Sequence, residues 1–365
     1  MKTIHVHGAP SEYILQKGAL DLLESKLIER NHKKVLVVRG VKSWEAAKAY
    51  WPTLEQIEYD EYIYGGECSF TEIGKVSNLV LSQGYEAVIG VGGGKVLDLV
   101  KATGNETHKP VILIPTLASN CAPWTPLSVL YDDAGSFIRY DIYPVSASLV
   151  LIEPEILVLA PVDLFVAGIG DTLAKWYEAD IQLRAIDNKT VPMMIAHHTA
   201  EQCKVILVQS AVEAVRAVRN GEVNEEFIKV VETIIMYSGM VGGFGDHFGR
   251  VTGAHAIHNG LTVLEETHHA LHGSKVAYGI LVQLVLENRW NEIQRLMPFY
   301  QQLGLPLSLS ELGIDGITDE MVNQVAEKAT IPEESIHLIS IGEITSTRVK
   351  DAMLALEKYY RELKI

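Results

Sequence analysis

The sequence predicts an α/β fold in two domains: a parallel-sheet domain over residues 1–160, followed by an all-helical domain over residues 161–365. A chain of 365 residues has the length of two ordinary domains, each with a core of its own. Before residue 160, short β-branched runs alternate with helical patterns, as in a parallel sheet with crossover helices. After residue 160, long helical patterns dominate and β-branched alternation nearly disappears, so we place the boundary there.

Apolar runs rich in β-branched residues predict the strands of the first domain. The clearest strands are predicted at 34–40 (KVLVVRG), 86–94 (EAVIGVGGG) and 110–116 (PVILIPT). Two more are predicted around a turn at 132–135, at 128–133 (SVLYDD) and 148–154 (SLVLIEP).

Apolar residues that recur at spacings of three and four residues predict the helices. In the first domain they cover about 18–30, 44–50 and 71–82. In the second domain they are longer and cover 163–185, 191–219, 224–239 and 346–363.

The charge balance is acidic, which excludes polyanionic partners. The formal net charge is −15 and no basic run interrupts it, so neither nucleic acid nor an anionic membrane is an expected partner. No apolar run approaches the roughly 20 residues of a membrane span, and no targeting segment is expected at the N-terminus. The three cysteines, Cys68, Cys121 and Cys203, contain no CxxC pair and are odd in number, which favours a reducing cytoplasm.

A glycine-rich turn joins a predicted strand to a predicted helix. The apolar residues 87–89 lead directly into Gly90-Val91-Gly92-Gly93-Gly94-Lys95, and a helical pattern begins at Val96. Glycine lets backbone N–H groups approach a phosphate, and a helix N-terminus adds partial positive charge, so this turn is suited to a pyrophosphate. The motif matches neither a Walker A loop nor the GxGxxG pattern. The alternative interpretation is a tight turn that binds no ligand.

Five of the thirteen histidines lie within eighteen residues and indicate a metal site: His255, His258, His268, His269 and His272. Imidazole is a common ligand of Zn and Fe, and a catalytic site uses about three protein ligands with one position open. Asp171, which follows Gly168-Ile169-Gly170 at a predicted break in a helix, offers a carboxylate. Histidines three or four residues apart could share one helical face, so the residues alone leave several ligand sets open.

Five blocks of sequence carry a family resemblance: 90–102 (GVGGGKVLDLVKA), 114–131 (IPTLASNCAPWTPLSVLY), 168–179 (GIGDTLAKWYEA), 253–261 (GAHAIHNGL) and 271–284 (LHGSKVAYGILVQL). Together and in this order they resemble the iron-containing alcohol dehydrogenase superfamily, and its glycerol dehydrogenase branch in particular. The resemblance implies a Rossmann-like dinucleotide-binding domain and a helical domain that carries one divalent metal, Zn or Fe. It also implies the fold shared with dehydroquinate synthase, and a homo-oligomer.

The resemblance further implies which residues hold the metal. The ligands would be Asp171, His255 and His272, so that the other three clustered histidines are not ligands. Superfamily members with a fourth protein ligand carry a histidine where this chain has Lys175, so three ligands are expected.

Contacts to a nicotinamide cofactor follow from the same resemblance. The pyrophosphate and ribose would be lined by Gly93, Gly94, Lys95 and Asp98. The ribose and nicotinamide side would be lined by Thr116, Ser119, Thr125, Leu127 and Tyr131.

The residues after the second predicted strand favour NADP(H) over NAD(H). NAD-preferring relatives have an acid there that accepts hydrogen bonds from the adenosine 2′-OH, but this chain reads Arg39-Gly40-Val41-Lys42. Since no carboxylate repels a 2′-phosphate and two cations flank Gly40, a phosphate contact near Gly40 and Lys42 is predicted. The alternative is that Arg39 and Lys42 are solvated surface charges.

The substrate loop differs from that of glycerol dehydrogenases, which read ASTDAP and bind the polyol through the Asp. This chain has Cys121 in place of that Asp, which weakens the case for a triol and removes repulsion toward an anion. The blocks around Cys121 and Asp171, with PEESIHLI at 332–339, resemble the hydroxycarboxylate dehydrogenase A subgroup, which acts on 2-oxo and 2-hydroxy acids.

The predicted activity is therefore reversible hydride transfer between NADP(H) or NAD(H) and a small 2-oxo or 2-hydroxy acid. The metal would polarise the substrate oxygen, Cys121 would face the substrate, and His258, one helical turn from His255, would relay a proton. Oxidation of glycerol or a similar diol with NAD is the alternative. A lyase related to dehydroquinate synthase and a nucleotide sensor without chemistry are the remaining alternatives.

Overall fold

The chain, described by a computed structural model over residues 4–363, divides into two compact units. The first unit comprises His7–Pro161 together with Ala217–Val231. The second comprises residues 4–6, Val162–Arg216 and residues 232–363. The return of residues 217–231 to the first unit has no counterpart in the sequence prediction, because these residues continue a helical pattern.

Eight strands form in the described part of the chain: β1 Tyr13–Leu15, β2 Lys34–Arg39, β3 Glu58–Ile63, β4 Ala87–Gly92, β5 Val111–Pro115, β6 Leu127–Tyr131, β7 Phe137–Ile142 and β8 Leu149–Ile152. Six of them form a parallel sheet in the order β1-β8-β5-β4-β2-β3, which confirms the predicted sheet. Strands β4 and β5 are buried along their whole length, as expected for apolar runs covered on both faces. Because parallel strands end at one edge of a sheet, the residues that follow β2, β4 and β5 are neighbours.

The edge strands β1 and β3 lack the apolar runs on which strand prediction depends. Strand β3 (EYDEYI) leaves four of its six residues exposed, and β1 is only three residues long. An edge strand has a hydrogen-bonded neighbour on one side only and is commonly short or charged, which removes the apolar signal.

The strands predicted at 128–133 and 148–154 both form, as β6 and β8, but the strand that follows the turn and pairs antiparallel with β6 is β7, which was not predicted. The turn closes early because Asp132 Oδ1 accepts hydrogen bonds from the N–H groups of Ala134 and Ser136, and Gly135 adopts a φ of 87°. The apolar residues of β8 are all buried, and β8 instead joins the central sheet between β1 and β5.

Five α-helices lie between residues 7 and 161 of the first unit: α1 Leu23–Glu29, α2 Val41–Ala47, α3 Phe70–Gln83, α4 Gly94–Thr107 and α5 Pro154–Leu157. The remaining helices are α6 Val162–Leu183, α7 Val191–Asn220, α8 Glu225–Glu232, α9 Ser238–Gly245, α10 Gly253–Leu261, α11 His272–Leu286, α12 Trp290–Leu303, α13 Asp319–Ala329 and α14 Ser346–Leu363. The four helices predicted after residue 160 all form, and the one at 224–239 is divided by a π-helical turn at Thr233–Tyr237.

The helical run Glu225–Phe248 is long and apolar enough to cross a membrane, which the sequence prediction did not anticipate. Its mean hydropathy is 1.3 over the most apolar window, and 61% of that window is buried within the protein. The core helix of a folded protein has the same properties, so this run is weak support for a membrane span.

Candidate functional site

Glycines bring three helices of the second unit, α6, α10 and α11, into close contact. A Cβ at Gly273 on α11 would lie 1.8 Å from the carbonyl oxygen of Ala167 on α6, and one at Gly279 would lie 2.3 Å from that of Ala254 on α10. A Cβ at Gly170 on α6 would lie 2.7 Å from the carbonyl oxygen of Gly273. Since no side chain fits at these positions, backbone packs directly against backbone.

The helix break predicted at 168–171 is wrong. Helix α6 runs through these residues without interruption from Val162 to Leu183. Gly170 serves the contact with α11 rather than a turn, and Asp171 is carried on a regular helix that is buried at this point.

Asp171, His255 and His272 converge from α6, α10 and α11 respectively. The Nε2 atom of His255 lies 3.2 Å from Asp171 Oδ1, and that of His272 lies 3.3 Å from the same oxygen. One ligand atom of each residue lies within 4.8 Å of the others, a spacing that can hold one metal ion. Asp171 Oδ1 is buried and accepts no well-oriented hydrogen bond from the described residues, a deficit that a bound cation would remove.

Glu178, two turns after Asp171 on α6, holds His255 by its other ring nitrogen. Its Oε2 lies 2.7 Å from His255 Nδ1, and its Oε1 accepts the backbone N–H groups of Thr252 and His255 at 2.8 and 3.0 Å. Burial raises the pKa of Glu178, but His255 outweighs this effect and the net pKa is lowered, so the carboxylate is charged. An imidazole that donates Nδ1–H to a carboxylate presents its Nε2 lone pair to a metal. This residue was missed from the sequence, although its spacing of seven from Asp171 places both on one face of a helix.

We expect Glu178→Gln to weaken metal binding by about tenfold to a hundredfold, the usual effect of losing such a partner. The neutral amide stabilises the Nδ1–H tautomer of His255 less than the carboxylate does. Competition between the protein and a chelator for Zn²⁺ measures the change, with Glu225→Gln at an exposed helical position as the control. Equal Zn²⁺ affinity in both variants would show that Glu178 has no influence on the site.

In the metal-free protein, the pKa of His255 determines how metal binding depends on pH. Burial lowers the pKa of His255, but the carboxylates of Glu178 and Asp171 outweigh it and raise this pKa to about 9. Below that pH a metal must displace the proton, so its apparent affinity should rise by about tenfold per pH unit and level off above about pH 9. Calorimetric titration in two buffers of different ionisation enthalpy counts the released protons, and an affinity independent of pH would contradict the prediction.

A chain of hydrogen bonds leads away from His272 on the side opposite Asp171. His272 Nδ1 lies 2.9 Å from His258 Nε2, and His258 Nδ1 lies 3.0 Å from Asn259 Oδ1. Asn259 Nδ2 then lies 3.1 Å from each carboxylate oxygen of Glu334. Burial and the neighbouring His272 lower the pKa of His258 well below its ordinary value, so His258 is neutral.

The other predicted candidates near this cluster lie outside it. His268 and His269 are exposed, and the ring of His268 bonds to the carbonyl oxygen of Thr262 at 3.0 Å. Lys175, one turn after Asp171, donates to the carbonyl oxygen of Arg250 at 3.4 Å.

The glycine turn of the first unit has the predicted strand–turn–helix form. Strand β4 ends at Gly92, Gly93 is the N-cap of α4, and the helix begins at Gly94. A Cβ at Gly94 would lie 3.0 Å from the amide of Asn120, so the backbone there is closely approached by the loop after β5. Helix α4 is fourteen residues long, and its first N–H groups are available to an anion.

Lys95, the charged residue of this turn, is already paired. Its ammonium lies 2.5 Å from Glu67 Oε1 and 4.9 Å from the ring centre of Tyr131. Glu67 was not identified from the sequence, because it lies in a loop 28 residues earlier in the chain. A phosphate at the turn would compete with this carboxylate for Lys95.

Asp98 has a structural task within the first unit. It is 6% exposed, forms an ion pair of 2.8 Å with Lys101, and accepts the N–H of Val129 at 3.0 Å. The buried Lys101 ammonium also donates to the backbone carbonyls of Ala122, Thr125 and Leu127. This pair therefore supports the segment that carries several of the predicted cofactor contacts, and Asp98 itself is committed to internal bonds.

The remaining predicted contacts lie after β5 and along β6. Thr116 is buried, while Ser119, Cys121, Thr125 and Leu127 are each partly exposed. The carbonyl oxygen of Cys121 accepts the backbone N–H and the hydroxyl of Thr125 at 3.1 and 3.2 Å, which closes the loop into a turn. The following Trp124 is 7% exposed and donates its indole N–H to Gly8 at 2.9 Å, so its role is packing.

The two cations after β2 differ in their surroundings. Arg39 Nε lies 2.5 Å from Glu61 Oε2 on the neighbouring strand β3, and its guanidinium lies 4.9 Å from the ring centre of Trp44. Lys42 is exposed on α2, and Gly40 is the N-cap of that helix. Arg39 is thus neutralised by a carboxylate of the adjacent strand, a partner that only the sheet order reveals.

Comparison with known proteins places the chain among characterised relatives. The sequence profile described as "Iron-containing alcohol dehydrogenase" matches residues 10–154. The chain is 36% identical over 359 residues to hydroxycarboxylate dehydrogenase A of Escherichia coli (strain K12), covering 98% of each protein. It is 38% identical over 360 residues to a glycerol dehydrogenase of Thermotoga maritima, covering 97% of each.

A solved structure gives the same relation in three dimensions. The crystal structure of a probable glycerol dehydrogenase from Sinorhizobium meliloti 1021 superposes with a TM-score of 0.86 at 32% identity. The match covers 98% of this chain and 100% of that one. The likeness therefore extends over the parallel sheet and over the helices that carry Asp171, His255 and His272.

Proposed function

Because this chain belongs to the iron-containing alcohol dehydrogenase family, we propose that it is a metal-dependent dehydrogenase that interconverts a small 2-oxo acid and its 2-hydroxy acid. As a member of that family it is an oxidoreductase. The convergence of Asp171, His255 and His272 on one point carries the metal-dependent part of this proposal. Two imidazole nitrogens and one carboxylate oxygen form a donor set that suits Zn and Fe alike.

The three converging side chains fit a divalent ion on two further counts. Asp171 Oδ1 is buried without a well-oriented hydrogen bond, and Glu178 holds His255 in the tautomer that a metal requires. A divalent ion held there supplies Lewis-acid polarisation of the substrate oxygen. Glycines at the contacts between α6, α10 and α11 let these helices approach closely enough to bring the three side chains together.

The cofactor in this proposal is a nicotinamide dinucleotide, bound by the first unit. The backbone at Gly93 and Gly94 and the N-terminus of α4 suit its pyrophosphate, and Thr116, Ser119, Thr125, Leu127 and Tyr131 remain the proposed contacts to the ribose and nicotinamide. Bound there, the dinucleotide supplies the hydride, while the chain's own groups position it. Lys101 contributes indirectly by holding the segment 122–127 through three carbonyls.

Cys121 supports an anionic substrate rather than a triol. A thiol lacks the acceptor-only carboxylate that would hold polyol hydroxyls, and it does not repel a carboxylate group. The first of the relatives above is a hydroxycarboxylate dehydrogenase, and the second is a glycerol dehydrogenase, so glycerol oxidation is the second candidate.

A direct assay separates these two substrates. Metal-loaded enzyme is supplied with NADPH and a small 2-oxo acid, or with NAD and glycerol, and the nicotinamide absorbance is followed. Turnover of the oxo acid is expected to exceed that of glycerol. Strong turnover with glycerol and NAD alone would replace the proposal with the second candidate, and a product formed without any absorbance change would exclude both.

We expect the enzyme to prefer NADPH over NADH, with Lys42 as the main contact to the 2′-phosphate. The exposed ammonium of Lys42 is available, whereas Arg39 is held by Glu61. Lys42→Ala should lower kcat/KM for NADPH by about tenfold, the value of one charge-assisted hydrogen bond, and leave that for NADH nearly unchanged. Lys48→Ala, on the exposed surface just after α2, is the control. An equal loss of kcat/KM with NADPH and with NADH would show that Lys42 does not contact the 2′-phosphate.

The charge and the cysteines of the chain indicate where it acts and what it binds. A net charge of −15 opposes binding to nucleic acid or anionic membranes, and the small-molecule substrate is the expected partner. None of the three cysteines, Cys68, Cys121 and Cys203, forms a disulfide, in keeping with a reducing cytoplasm. We also propose a homo-oligomer, on the resemblance alone.

A further inference from the structure

The strongest observation that the proposed function leaves unused is the hydrogen-bond chain from His272 to Glu334. Its far end lies in the PEESIHLI segment, which the family motifs around the metal ligands do not include. The near end is one of the proposed metal ligands, so this inference rests on the proposed function. We propose that Asn259 and Glu334 are positioning residues that set the tautomer and ring orientation of His258 and, through it, of His272.

With Nε2 of His272 left for a metal and Glu334 ionised, only one arrangement of hydrogens satisfies every member of this hydrogen-bond chain. His272 offers Nε2 on the side of Asp171, so its hydrogen is on Nδ1 and is donated to His258 Nε2 at 2.9 Å. His258 must then carry its own hydrogen on Nδ1, which lies 3.0 Å from Asn259 Oδ1. Each imidazole thus accepts or binds at Nε2 and donates at Nδ1.

Glu334 determines which way the amide of Asn259 points. A carboxylate can only accept, and both of its oxygens lie 3.1 Å from Asn259 Nδ2. If the amide were reversed, its oxygen would face the carboxylate and its NH₂ would face the Nδ1–H of His258. Both contacts would then be repulsive, so Glu334 selects the orientation in which Asn259 accepts from His258.

The Glu334 segment is itself anchored to the helix that carries the histidines. Ser335 Oγ donates to the carbonyl oxygen of Thr252, the N-cap of α10, at 2.7 Å. Glu334 bonds to Asn259 near the other end of the same helix, and Ile336 is fully buried. The segment therefore contacts α10 at both ends, which places the carboxylate at a fixed distance from His258.

This geometry gives His258 a positioning task in place of the proton relay predicted from the sequence. Its Nε2 accepts from His272 and its Nδ1 donates to Asn259, so neither nitrogen is free for a substrate in this arrangement. The residue holds a ligand rather than meeting the reacting atoms.

The test uses the Co²⁺-loaded enzyme, whose visible absorption reports ligand geometry, and competition for Zn²⁺ with a chelator. Glu334→Gln should change the Co²⁺ spectrum and weaken Zn²⁺ binding by about tenfold, at the low end for partners of metal ligands. Glu333→Gln, the same substitution at the exposed neighbouring position, should do neither. Unchanged spectrum and affinity in Glu334→Gln would overturn the proposal.

A double-mutant cycle separates positioning from a general structural effect. If Glu334 acts through Asn259, the Glu334→Gln change should have little further effect in an Asn259→Ala background, whereas independent effects would add and overturn the proposal. Asn259→Ala by itself should shift the spectrum in the same way, which keeps the test valid if Glu334→Gln does not fold. If the wild-type protein binds neither Co²⁺ nor Zn²⁺, the proposed function itself is refuted. If the wild type binds both ions and Glu334→Gln changes neither the spectrum nor the affinity, only this inference is refuted.

Discussion

Asp171→Asn should remove the metal and lower turnover by at least about 1,000-fold, because a Lewis-acid metal supplies several kcal/mol at the transition state. Asp171 carries the only carboxylate among the three converging side chains, and both imidazoles lie within 3.3 Å of its Oδ1. The amide has nearly the same shape but no charge, so packing around α6 is kept while attraction for the cation is lost. Elemental analysis of the purified variant measures bound metal, and steady-state assays measure turnover.

The matched control for this change lies on the same helix. Asp163→Asn, at an exposed position in the first turn of α6, should keep full metal content and turnover. Nucleotide binding by Asp171→Asn should also be retained, since the glycine turn belongs to the other unit. An Asp171→Asn protein with stoichiometric metal and a tenth or more of wild-type turnover would show that the metal site lies elsewhere.

Gly273→Ala should destabilise the protein by about 3 kcal/mol or more, the upper range for inserting atoms into a packed interface. The new Cβ would lie 1.8 Å from the carbonyl oxygen of Ala167, a backbone atom that moves only if α6 and α11 separate. Gly273 directly follows His272, so such a separation would also lengthen the contact between His272 and Asp171. We therefore expect lower thermal stability together with weaker Zn²⁺ binding.

Gly74→Ala is the control for the second change. Gly74 lies inside helix α3, and a Cβ there would meet no heavy atom within 4 Å. The same substitution should there stabilise the helix by about 0.5–1 kcal/mol. If thermal unfolding showed Gly273→Ala to be as stable as Gly74→Ala, the close approach of α6 and α11 would not be a feature of the protein in solution.

Much of the fold was predictable because its central elements have strong local signals. The runs at β2, β4 and β5 are continuously apolar, and each is buried in the sheet as predicted. The edge strands β1 and β3 and the hairpin partner β7 have no such signal, because solvent rather than a core covers much of their surface. The turn at Asp132 was identified, but which strand it leads to depends on burial, and β8 is the buried one.

The candidate site also has parts that the sequence predicted and parts that only the structure shows. Histidine spacing and the family motifs indicated the three converging side chains, yet the hydrogen-bond partners of the predicted site residues come mostly from distant positions. Glu334 reaches His258 through Asn259 from 75 residues away in the chain, and Glu61 meets Arg39 because β3 lies beside β2. Of these partners, only Glu178 could have been predicted from the sequence, because its spacing of seven residues places it on the same helix face as Asp171.

By itself, the sequence determined the two-part α/β and helical architecture, the glycine turn, the set of candidate metal ligands and the family. These depend on residue type and on spacing along one strand, one turn or one helix, which are local properties of the chain. Only the tertiary structure decided that α6 continues through Gly170, that Asp98 accepts the N–H of Val129, and that His258 bonds to His272. Each of these depends on which backbone or side chain from a remote part of the chain lies within about 3 Å, and no local pattern encodes that distance.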